Sequence, residues 1–291
     1  MLTCSRRRFL SQTASAGAAA LLAPLLPGRA RSLPLAGQAG IQLYAVKDSL
    51  AADPAATLRR IRSIGFREVE TAGFAGLTAS AFRRLLDDSG LVAPSAHLDF
   101  SDPAAAFEQA HALGAHYAAS GSLRSLIAGP HQGGMTPEEA HRTAELANRL
   151  GEQARRAGLG YVYHNHDFEF ASQGTAVGYD VLLAETDPSL VQFEIDCGWM
   201  VLGGRDPRDY FGHYPHRFPM IHVKDFLPAA VGGAEHPGAE LGHGMIDYRP
   251  IFAAAEKAGL KHYFAEQEGP FTRMSQIEAA RQAFDYLRPI G

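Results

Sequence analysis

The chain has 291 residues, of which 46% are hydrophobic and 20% are charged, and this composition is typical of one ordinary folded domain of moderate size. A formal net charge of -4, without a stripe of lysine and arginine, excludes nucleic acid as an expected partner. The two cysteines, Cys4 and Cys197, are too few for a disulfide framework.

The amino-terminal segment has the pattern of a targeting signal. The residues SRRRFL at positions 5–10 are followed by a weakly hydrophobic run from Ala14 to Leu26 and by small residues up to Ala30. Their order resembles the twin-arginine export signal, because both arginines and the following Phe-Leu are in place. An uncleaved anchor is the alternative, but the apolar run of about 13 residues is shorter than the ~20 that a spanning helix needs. We predict that residues 1–30 are a cleaved twin-arginine signal, that the protein is periplasmic or otherwise exported, and that it has no stable membrane anchor.

From Gly40 onward, strand-like and helix-like segments alternate with short breaks between them. The predicted strands are 41–46, 66–71, 92–97, 115–119, 159–166, 191–196, 220–224 and 263–266. The predicted helices are 54–63, 80–88, 103–113, 137–157, 179–185, 207–213, 248–258 and 274–287. Several helices begin at an Asp-Pro or Thr-Pro pair, and several end at a glycine just before the next strand.

Eight such units over about 250 residues have the size and the pattern of a (β/α)8 barrel. We predict that residues 38–291 form a single catalytic domain with this TIM-barrel fold. A doubly wound open sheet is the alternative, but no glycine-rich phosphate-binding fingerprint follows the first strand.

The barrel fold also predicts where function lies, because catalytic groups of such barrels sit at the carboxyl ends of the strands. Histidines and carboxylates of this sequence cluster at those ends. Together with one tyrosine, these residues are Tyr44, Glu70, His97, His164, His166, Glu169, Asp196, His222 and Glu266. A random scatter of these residue types would not follow the strand ends in this way.

The fifth predicted strand carries the densest group of such residues. The sequence YVYHNHDFEF at 161–170 places two histidines, an aspartate and a glutamate within six residues. Side chains on a strand alternate between its faces, so His164 and His166 share one face. Because an imidazole can donate or accept a proton near neutral pH, we predict that these two residues supply the general base or acid.

The ends of the other strands predict a metal site. Oxygen-rich ligand sets with one imidazole suit Mn²⁺, Mg²⁺ or another borderline divalent ion. We predict a divalent metal ion, with Mn²⁺ favoured and Mg²⁺, Co²⁺ or Zn²⁺ as alternatives, held by Glu169, Asp196, His222 and Glu266. The fourth ligand stays open between Glu169 and His164. For any one residue an ordinary ion pair or a core histidine is the simpler interpretation, but the four together favour a metal, because unpaired buried carboxylates are costly.

Further residues near these strand ends are candidates for substrate binding. They are Tyr44, His97, Trp199, Lys224 and His243. Trp199 either stacks on a sugar ring or covers the barrel mouth. Lys224, expected to point away from His222, either contacts substrate or forms a surface ion pair. The loop 227–247, which is glycine-rich at 232–233 and around His243, is a candidate lid.

The motifs together resemble the xylose isomerase-like barrels known as sugar phosphate isomerases/epimerases, over nearly all of residues 40–291. The motifs are QLY at 42–44, HNHDFE at 164–169, DCGW at 196–199, IHVKD at 221–225, LGHG at 241–244 and EQE at 266–268. The resemblance implies a divalent metal, usually Mn²⁺-like, that binds adjacent hydroxyl and carbonyl oxygens of a sugar and stabilises an enediolate. It also implies that a carboxylate or a histidine removes the proton next to the carbonyl, which adds Glu169 and Glu266 to the catalytic candidates. Homo-oligomers are common by the same resemblance.

The leading functional hypothesis is therefore a metal-dependent isomerase or epimerase that acts on a small carbohydrate, an unphosphorylated sugar or keto-sugar. The His-x-His form is similar to family members that are dehydratases or lyases, so β-elimination from a 3-keto-glycoside or an inosose is the alternative within enzymes. A non-catalytic, exported sugar-binding barrel is the alternative from another class. DNA-repair endonucleases share the architecture, but the acidic charge balance and the export signal argue against them.

Overall fold

Eight parallel strands close into a barrel in the computed structural model of the protein, which describes residues 38–129, 133–171, 177–229, 236–269, 271 and 273–290. The strands are β1 (Gly40–Gln42), β2 (Glu68–Ala72), β3 (Val92–Leu98), β4 (Tyr117–Ser120), β5 (Gly160–His164), β6 (Val191–Asp196), β7 (Met220–Val223), β8 (Asp225–Phe226), β9 (Gly238–Ala239) and β10 (His262–Ala265). Strands β1 to β7 follow one another around the barrel, and β10 closes it between β7 and β1. Strands β8 and β9 form a separate antiparallel pair. The predicted (β/α)8 barrel is confirmed.

Helices connect the strands and pack on the outside of the barrel. They are α1 (Lys47–Ala52), α2 (Pro54–Ile64), α3 (Ala79–Ser89), α4 (Pro103–Leu113), α5 (Arg124–Ile127), α6 (Pro137–Arg156), α7 (Gly178–Glu185), α8 (Cys197–Leu202), α9 (Pro207–His213), α10 (Tyr248–Lys257) and α11 (Gln276–Leu287). The carboxylates of Asp53, Asp102 and Asp206 each accept a backbone hydrogen bond from the helix that follows, and a proline comes next in each case. Thr136 begins α6 in a capping box.

The first strand is shorter than the sequence predicts. It ends at Gln42, and Leu43–Val46 form a 3-10 helix. The Gln42 side chain accounts for this turn, because its Oε1 accepts a hydrogen bond from Tyr44 N (3.1 Å) while its Nε2 donates to Glu70 Oε2 (2.9 Å). The sequence pattern also does not predict the short helices α1, α5 and α8.

Side chains inside the barrel form an apolar layer with a polar layer above it. The apolar layer consists of Ala119, Val162, Met220 and Phe264, all fully buried and separate from the core between strands and helices. Two residues further along three of these strands lie His164, His222 and Glu266. Because inward-facing residues of barrel strands stack in layers, the apolar layer supports the polar side chains at the carboxyl end.

No helix within the described ranges is long and apolar enough to cross a membrane. The expected signal at residues 1–30 and the glycines at 232–233 of the expected lid lie outside the described residues. Export, the lid and a homo-oligomer therefore remain predictions.

Candidate active site

Three of the predicted metal ligands meet at the carboxyl end of the barrel. Asp196, His222 and Glu266 offer ligand atoms within 4.8 Å of one another, and all three residues are buried. Pairing of β6 with β7 sets Asp196 beside His222, whose Nδ1 lies 3.0 Å from Glu266 Oε2. Asp196 Oδ1 accepts a hydrogen bond from Trp199 N at the start of α8, whereas Asp196 Oδ2 is buried and makes no hydrogen bond. This second oxygen is contacted by the charged Lys224 Nζ.

Lys224 lies directly against this group. Its Nζ is 3.0 Å from Asp196 Oδ2, in an ion pair without hydrogen-bond geometry, 2.8 Å from Glu266 Oε2 and 2.6 Å from Glu268 Oε1. Burial opposes the charge of Lys224, but the three carboxylates outweigh burial and raise its pKa, so it stays protonated. The expectation that Lys224 points away from His222 is wrong: the two residues are two positions apart, and both side chains reach Glu266.

Glu169, the fourth predicted ligand, is not brought to this group. Strand β5 ends at His164, and the chain then turns so that Glu169 faces the protein interior. Its Oε1 accepts a hydrogen bond from the Tyr163 hydroxyl (2.8 Å), and its Oε2 accepts one from His166 N (2.9 Å). Both carboxylate oxygens are thus engaged in supporting the segment that follows β5.

Glu169 predicts a pH-dependent contribution to stability. Burial raises the pKa of Glu169 from 4.5 to about 7. Between pH 4.5 and about 7 the native state therefore holds a proton on Glu169 that the unfolded state has released. The contribution of this proton to the free energy of unfolding is complete below pH 4.5 and is lost as the pH rises to about 7. The free energy of unfolding decreases by about 3 kcal/mol over this pH range. In Glu169→Gln, the amide can accept from His166 N and donate to the Tyr163 hydroxyl, so the variant should lack this loss.

Urea unfolding of the wild type and of Glu169→Gln at several pH values checks the prediction. Glu108→Gln, at an exposed position on α4, is the control and should follow the wild-type curve. Parallel curves for the wild type and Glu169→Gln would contradict the assignment.

A second group of imidazoles surrounds Glu194, which lies deeper in the barrel than Asp196. Glu194 lies two residues before Asp196 on β6 and shares its face. Its Oε2 is 2.9 Å from His97 Nε2, 3.1 Å from His164 Nδ1 and 3.2 Å from His222 Nε2. These four side chains offer ligand atoms within 4.8 Å of one another. His222 therefore lies between the two groups, with one ring nitrogen towards each.

Glu194 and Glu70 are also part of the site. Glu70 was expected at a strand end without a specific role, whereas Glu194 was not predicted. Glu70 accepts hydrogen bonds from Ser95 Oγ (2.5 Å) and Gln42 Nε2, and its Oε2 lies 2.7 Å from His222 Nε2. The signal that would have identified Glu194 is strand alternation, since a residue two positions before a predicted ligand faces the same side.

The charges around the cavity separate the histidines into two kinds. Burial disfavours a charged imidazole, but Glu70 and Glu194 outweigh burial at His97 and raise its pKa to about 10. Burial lowers the pKa of His164 to about 3 and holds the pKa of His166 well below its usual range. Burial likewise opposes the charge of His222, but Glu194 and Glu266 outweigh it and raise the pKa of His222 well above its usual range. At neutral pH the site thus combines protonated imidazoles at His97 and His222 with neutral ones at His164 and His166.

A cavity of about 280 Å³ opens at this end of the barrel. It is lined by Gln42, Tyr44, Ala72, His97, Gly121, His164, His166, Lys224, Glu266 and Glu268. Three predicted substrate-binding residues, Tyr44, His97 and Lys224, thus line it together with both histidines of the HNH motif. His166 Nδ1 is buried and has no hydrogen-bond partner.

The other two predicted substrate-binding residues do not line this cavity. Trp199 packs on Phe226, with ring centroids 5.0 Å apart, and the Lys224 ammonium lies 4.7 Å from the Trp199 ring. This position fits the alternative in which Trp199 covers the site. His243 is exposed, and its backbone N–H donates to Glu240 O (2.9 Å).

Asp225 anchors the described end of the loop that follows β7. Its carboxylate accepts hydrogen bonds from the backbone N–H groups of Phe226, Gly242, Gly244 and Ile246, at 2.9 to 3.3 Å. A Cβ atom at position 244 would collide with this carboxylate, so glycine is required there. One end of the predicted lid is therefore tied to the residue next to Lys224.

A closed (β/α)8 barrel with histidines and carboxylates at the carboxyl ends of its strands is the arrangement of TIM-barrel enzymes. The chain belongs to the xylose isomerase-like TIM barrel family, whose model matches residues 58–290. The resemblance read from the motifs is thereby confirmed at the level of the family.

A curated relative and two solved structures illustrate what this chain is similar to. An inosose dehydratase of Lacticaseibacillus casei is 33% identical over 175 residues, which cover 54% of this chain and 56% of the relative. The chain thus matches about half the length of this curated relative. A crystal structure of a sugar phosphate isomerase/epimerase from Parabacteroides distasonis has a TM-score of 0.70 at 26% identity, and the match covers 87% of this chain and 94% of the other. A xylose isomerase-like TIM barrel protein from Mycobacterium smegmatis, in complex with magnesium, shares the fold with a TM-score of 0.60 at 19% identity, over 87% of this chain and 97% of the other.

Proposed function

We propose that the protein is a divalent-metal-dependent enzyme that removes the proton next to the carbonyl group of an unphosphorylated keto-sugar or keto-cyclitol. The observation that carries this proposal is one cavity in which the imidazoles of His164 and His166 meet the Lys224–Glu266 ion pair. Glu266 also belongs to the ligand group with Asp196 and His222. The names of the similar proteins, an inosose dehydratase and a sugar phosphate isomerase/epimerase, support this class of substrate.

The residues at the carboxyl end fit a divalent metal ion. Two carboxylates and one imidazole suit Mn²⁺, with Mg²⁺, Co²⁺ and Zn²⁺ as alternatives. Asp196 Oδ2 accepts no hydrogen bond, and its close contact is the ion pair with Lys224 at 3.0 Å. Burial opposes the charge of His222, but Glu194 and Glu266 outweigh burial and raise its pKa. A bound cation would take the place of the proton that His222 Nδ1 shares with Glu266 at 3.0 Å. A bound ion would supply Lewis-acid polarisation of the substrate carbonyl.

The histidines of the HNH motif are suited to remove the proton. His164 Nδ1 lies 3.1 Å from Glu194 Oε2, and when this nitrogen holds the proton, His164 Nε2 is left as a base. His166 has a buried Nδ1 without a partner. Both side chains line the cavity, so either can reach a bound substrate.

Loss of a β-hydroxyl group is the outcome that the cavity favours. As the base takes the α-proton, the electron pair of the C–H bond forms a carbon–carbon double bond and the bond from the β-carbon to oxygen breaks. The leaving oxygen needs a proton to depart as water, and Lys224 and His97 are acids that line the same cavity. The inosose dehydratase relative supports this outcome.

Epimerisation or isomerisation is the second candidate, and the position of Glu266 favours it. Glu266 lines the cavity just beyond β10, a different wall from that of β5, and can return a proton to another face of the same intermediate. The structural neighbour from Parabacteroides distasonis supports this candidate. Both candidates begin with the same proton abstraction.

The charges in the cavity support an unphosphorylated substrate. Among the described residues that line it, the cationic side chains are Lys224 and His97. Lys224 contacts three carboxylates, and His97 contacts Glu70 and Glu194. Neither cation is left to bind a phosphate group.

Incubation of the metal-loaded protein with inososes and 3-keto-glycosides in D₂O tests the proposal. We expect an ultraviolet-absorbing enone, which identifies elimination, and no reaction after chelation. A product of unchanged composition that carries one solvent deuterium would identify epimerisation instead. If the folded, metal-loaded protein binds these compounds but exchanges no α-proton, the proposal is wrong and a sugar-binding barrel is the remaining interpretation.

A further inference from the structure

We propose that Asn165, the middle residue of the HNH motif, is a positioning residue that fixes His166 relative to Asp196. The inference rests on the proposed function and deepens it, because it gives His166 a part in the reaction. Asn165 is fully buried and does not line the cavity. It can therefore affect a reaction in the cavity only through its neighbours.

The side chain of Asn165 continues the pairing of two strands where one of them ends. In the parallel register of β5 and β6, His164 pairs with Glu194. An extension of β5 would therefore bring His166 beside Asp196. Strand β5 instead ends at His164, and the Asn165 carboxamide bonds both main-chain groups of Asp196. Its Oδ1 accepts a hydrogen bond from Asp196 N (3.1 Å), and its Nδ2 donates to Asp196 O (3.3 Å).

The same carboxamide holds the residue that follows it. Asn165 Nδ2 donates to His166 O (3.3 Å), and His166 N donates to Glu169 Oε2 (2.9 Å). Buried side chains thus bind both main-chain groups of His166. The ring itself has less support, because its buried Nδ1 has no hydrogen-bond partner and it stacks on Phe168 with centroids 5.8 Å apart. The direction of the His166 imidazole therefore depends on how firmly its main chain is held.

The chemistry of asparagine matches these partners. Its carboxamide has an acceptor oxygen, which meets Asp196 N, and two N–H donors, which match the carbonyl oxygens of Asp196 and His166. An aspartate would place an oxygen where these two carbonyl groups require a donor. An alanine would leave the buried main-chain groups of Asp196 without these bonds, which costs free energy.

Asn165 thereby connects two parts of the candidate site. Asp196 belongs to the ligand group, and the His166 side chain lines the cavity. A base acts only when it lies within hydrogen-bond reach of the proton that it removes. A misplacement of about 1 Å can cost about 10²-fold in rate. Loss of the Asn165 side chain should therefore reduce turnover more than it weakens substrate binding.

A double-mutant cycle on the metal-loaded protein tests the inference. Turnover is measured for Asn165→Ala, for His166→Gln and for the double variant. We expect Asn165→Ala to lower kcat about 10²-fold and to leave KM within about twofold of the wild type. Because Asn165 acts through His166, the double variant should be no slower than His166→Gln alone.

Asn148→Ala is the matched control. The Asn148 carboxamide also bonds main-chain groups, since it donates to Glu185 O (2.9 Å) and accepts from Asp187 N (2.8 Å). Asn148 lies on the outer helix α6, away from the cavity. Asn148→Ala should therefore turn over like the wild type.

The imidazole signals of His166 in ¹H–¹⁵N NMR spectra give a second readout, which needs no substrate. They are assigned by their absence in His166→Gln. We expect them to broaden in Asn165→Ala, because the ring then samples several directions, and to stay sharp in Asn148→Ala.

Losses that multiply in the double variant, a wild-type kcat in Asn165→Ala, or sharp His166 signals in that variant would each overturn the inference. Asn165→Asp keeps the acceptor and the size of the side chain, and it takes the place of Asn165→Ala if the alanine variant does not fold. A wild type that neither turns over nor exchanges the substrate α-proton would sink the proposed function, and the NMR comparison would then decide on Asn165 alone. Turnover in the wild type together with sharp His166 signals in Asn165→Ala would keep the proposed function and remove the inference.

Discussion

Asp196→Asn is expected to remove the metal ion from the group of Asp196, His222 and Glu266 and to lower kcat/KM about a thousandfold. The substitution keeps an oxygen that can accept the hydrogen bond from Trp199 N at the start of α8, but it replaces a charged ligand with a neutral amide. It also removes one of the carboxylates that contact Lys224. Loss of a Lewis acid is worth several kcal/mol of barrier, and each 1.36 kcal/mol is about tenfold in rate.

Asp206→Asn is the matched control for this prediction. Asp206 begins α9 in the way that Asp196 begins α8, because each accepts a backbone hydrogen bond from the helix it precedes. Asp206 is not part of either ligand group. Metal content and turnover should therefore be unchanged in Asp206→Asn. Retention of both the ion and full turnover in Asp196→Asn would show that Asp196 only caps its helix.

The second large effect is expected at the histidines of the HNH motif. His164→Gln and His166→Gln should each keep an ion at the Asp196 group, since neither residue belongs to it. Removal of a general base lowers turnover by about 10²- to 10⁴-fold, and we expect a loss of this size in the variant that lacks the base. The same variant should lose exchange of the substrate α-proton with solvent.

Exchange of the substrate α-proton with D₂O shows which of the two histidines is the base, because the histidine that removes the proton is required for this exchange. His262→Gln is the control, since His262 lies at the start of β10, away from the carboxyl ends of the strands, and pairs with Glu68 at 2.8 Å. If both His164→Gln and His166→Gln kept wild-type exchange and turnover, the base would have to be another residue.

Much of the fold and three of the ligands could be predicted from the sequence because they depend on local patterns. Alternating strands and helices with Asp-Pro starts specify the barrel, and a barrel brings all strand ends to one rim. Asp196, His222 and Glu266 follow from that rule alone, because each lies at the carboxyl end of a strand.

The failures depend on contacts that no local pattern contains. The alternation of YVYHNH continues past His164, so the sequence does not show that β5 ends there. The direction of Glu169 depends on the Tyr163 hydroxyl, and the early end of β1 depends on the hydrogen bond from Gln42 to Glu70. Glu194 was overlooked because the next inward-facing residue, Asp196, is the more familiar ligand at a strand end.

The anchoring of the 242–246 segment by Asp225 determines which residues at this rim of the barrel can vary. Asp225 holds this segment through main-chain N–H groups, so the exposed side chains of His243 and Met245 are not what keeps it in place. Substitution of His243 or Met245 should therefore leave the backbone of this segment in place as long as Asp225 and Gly244 are retained. The sequence of this rim can therefore change at little cost to the position of its backbone.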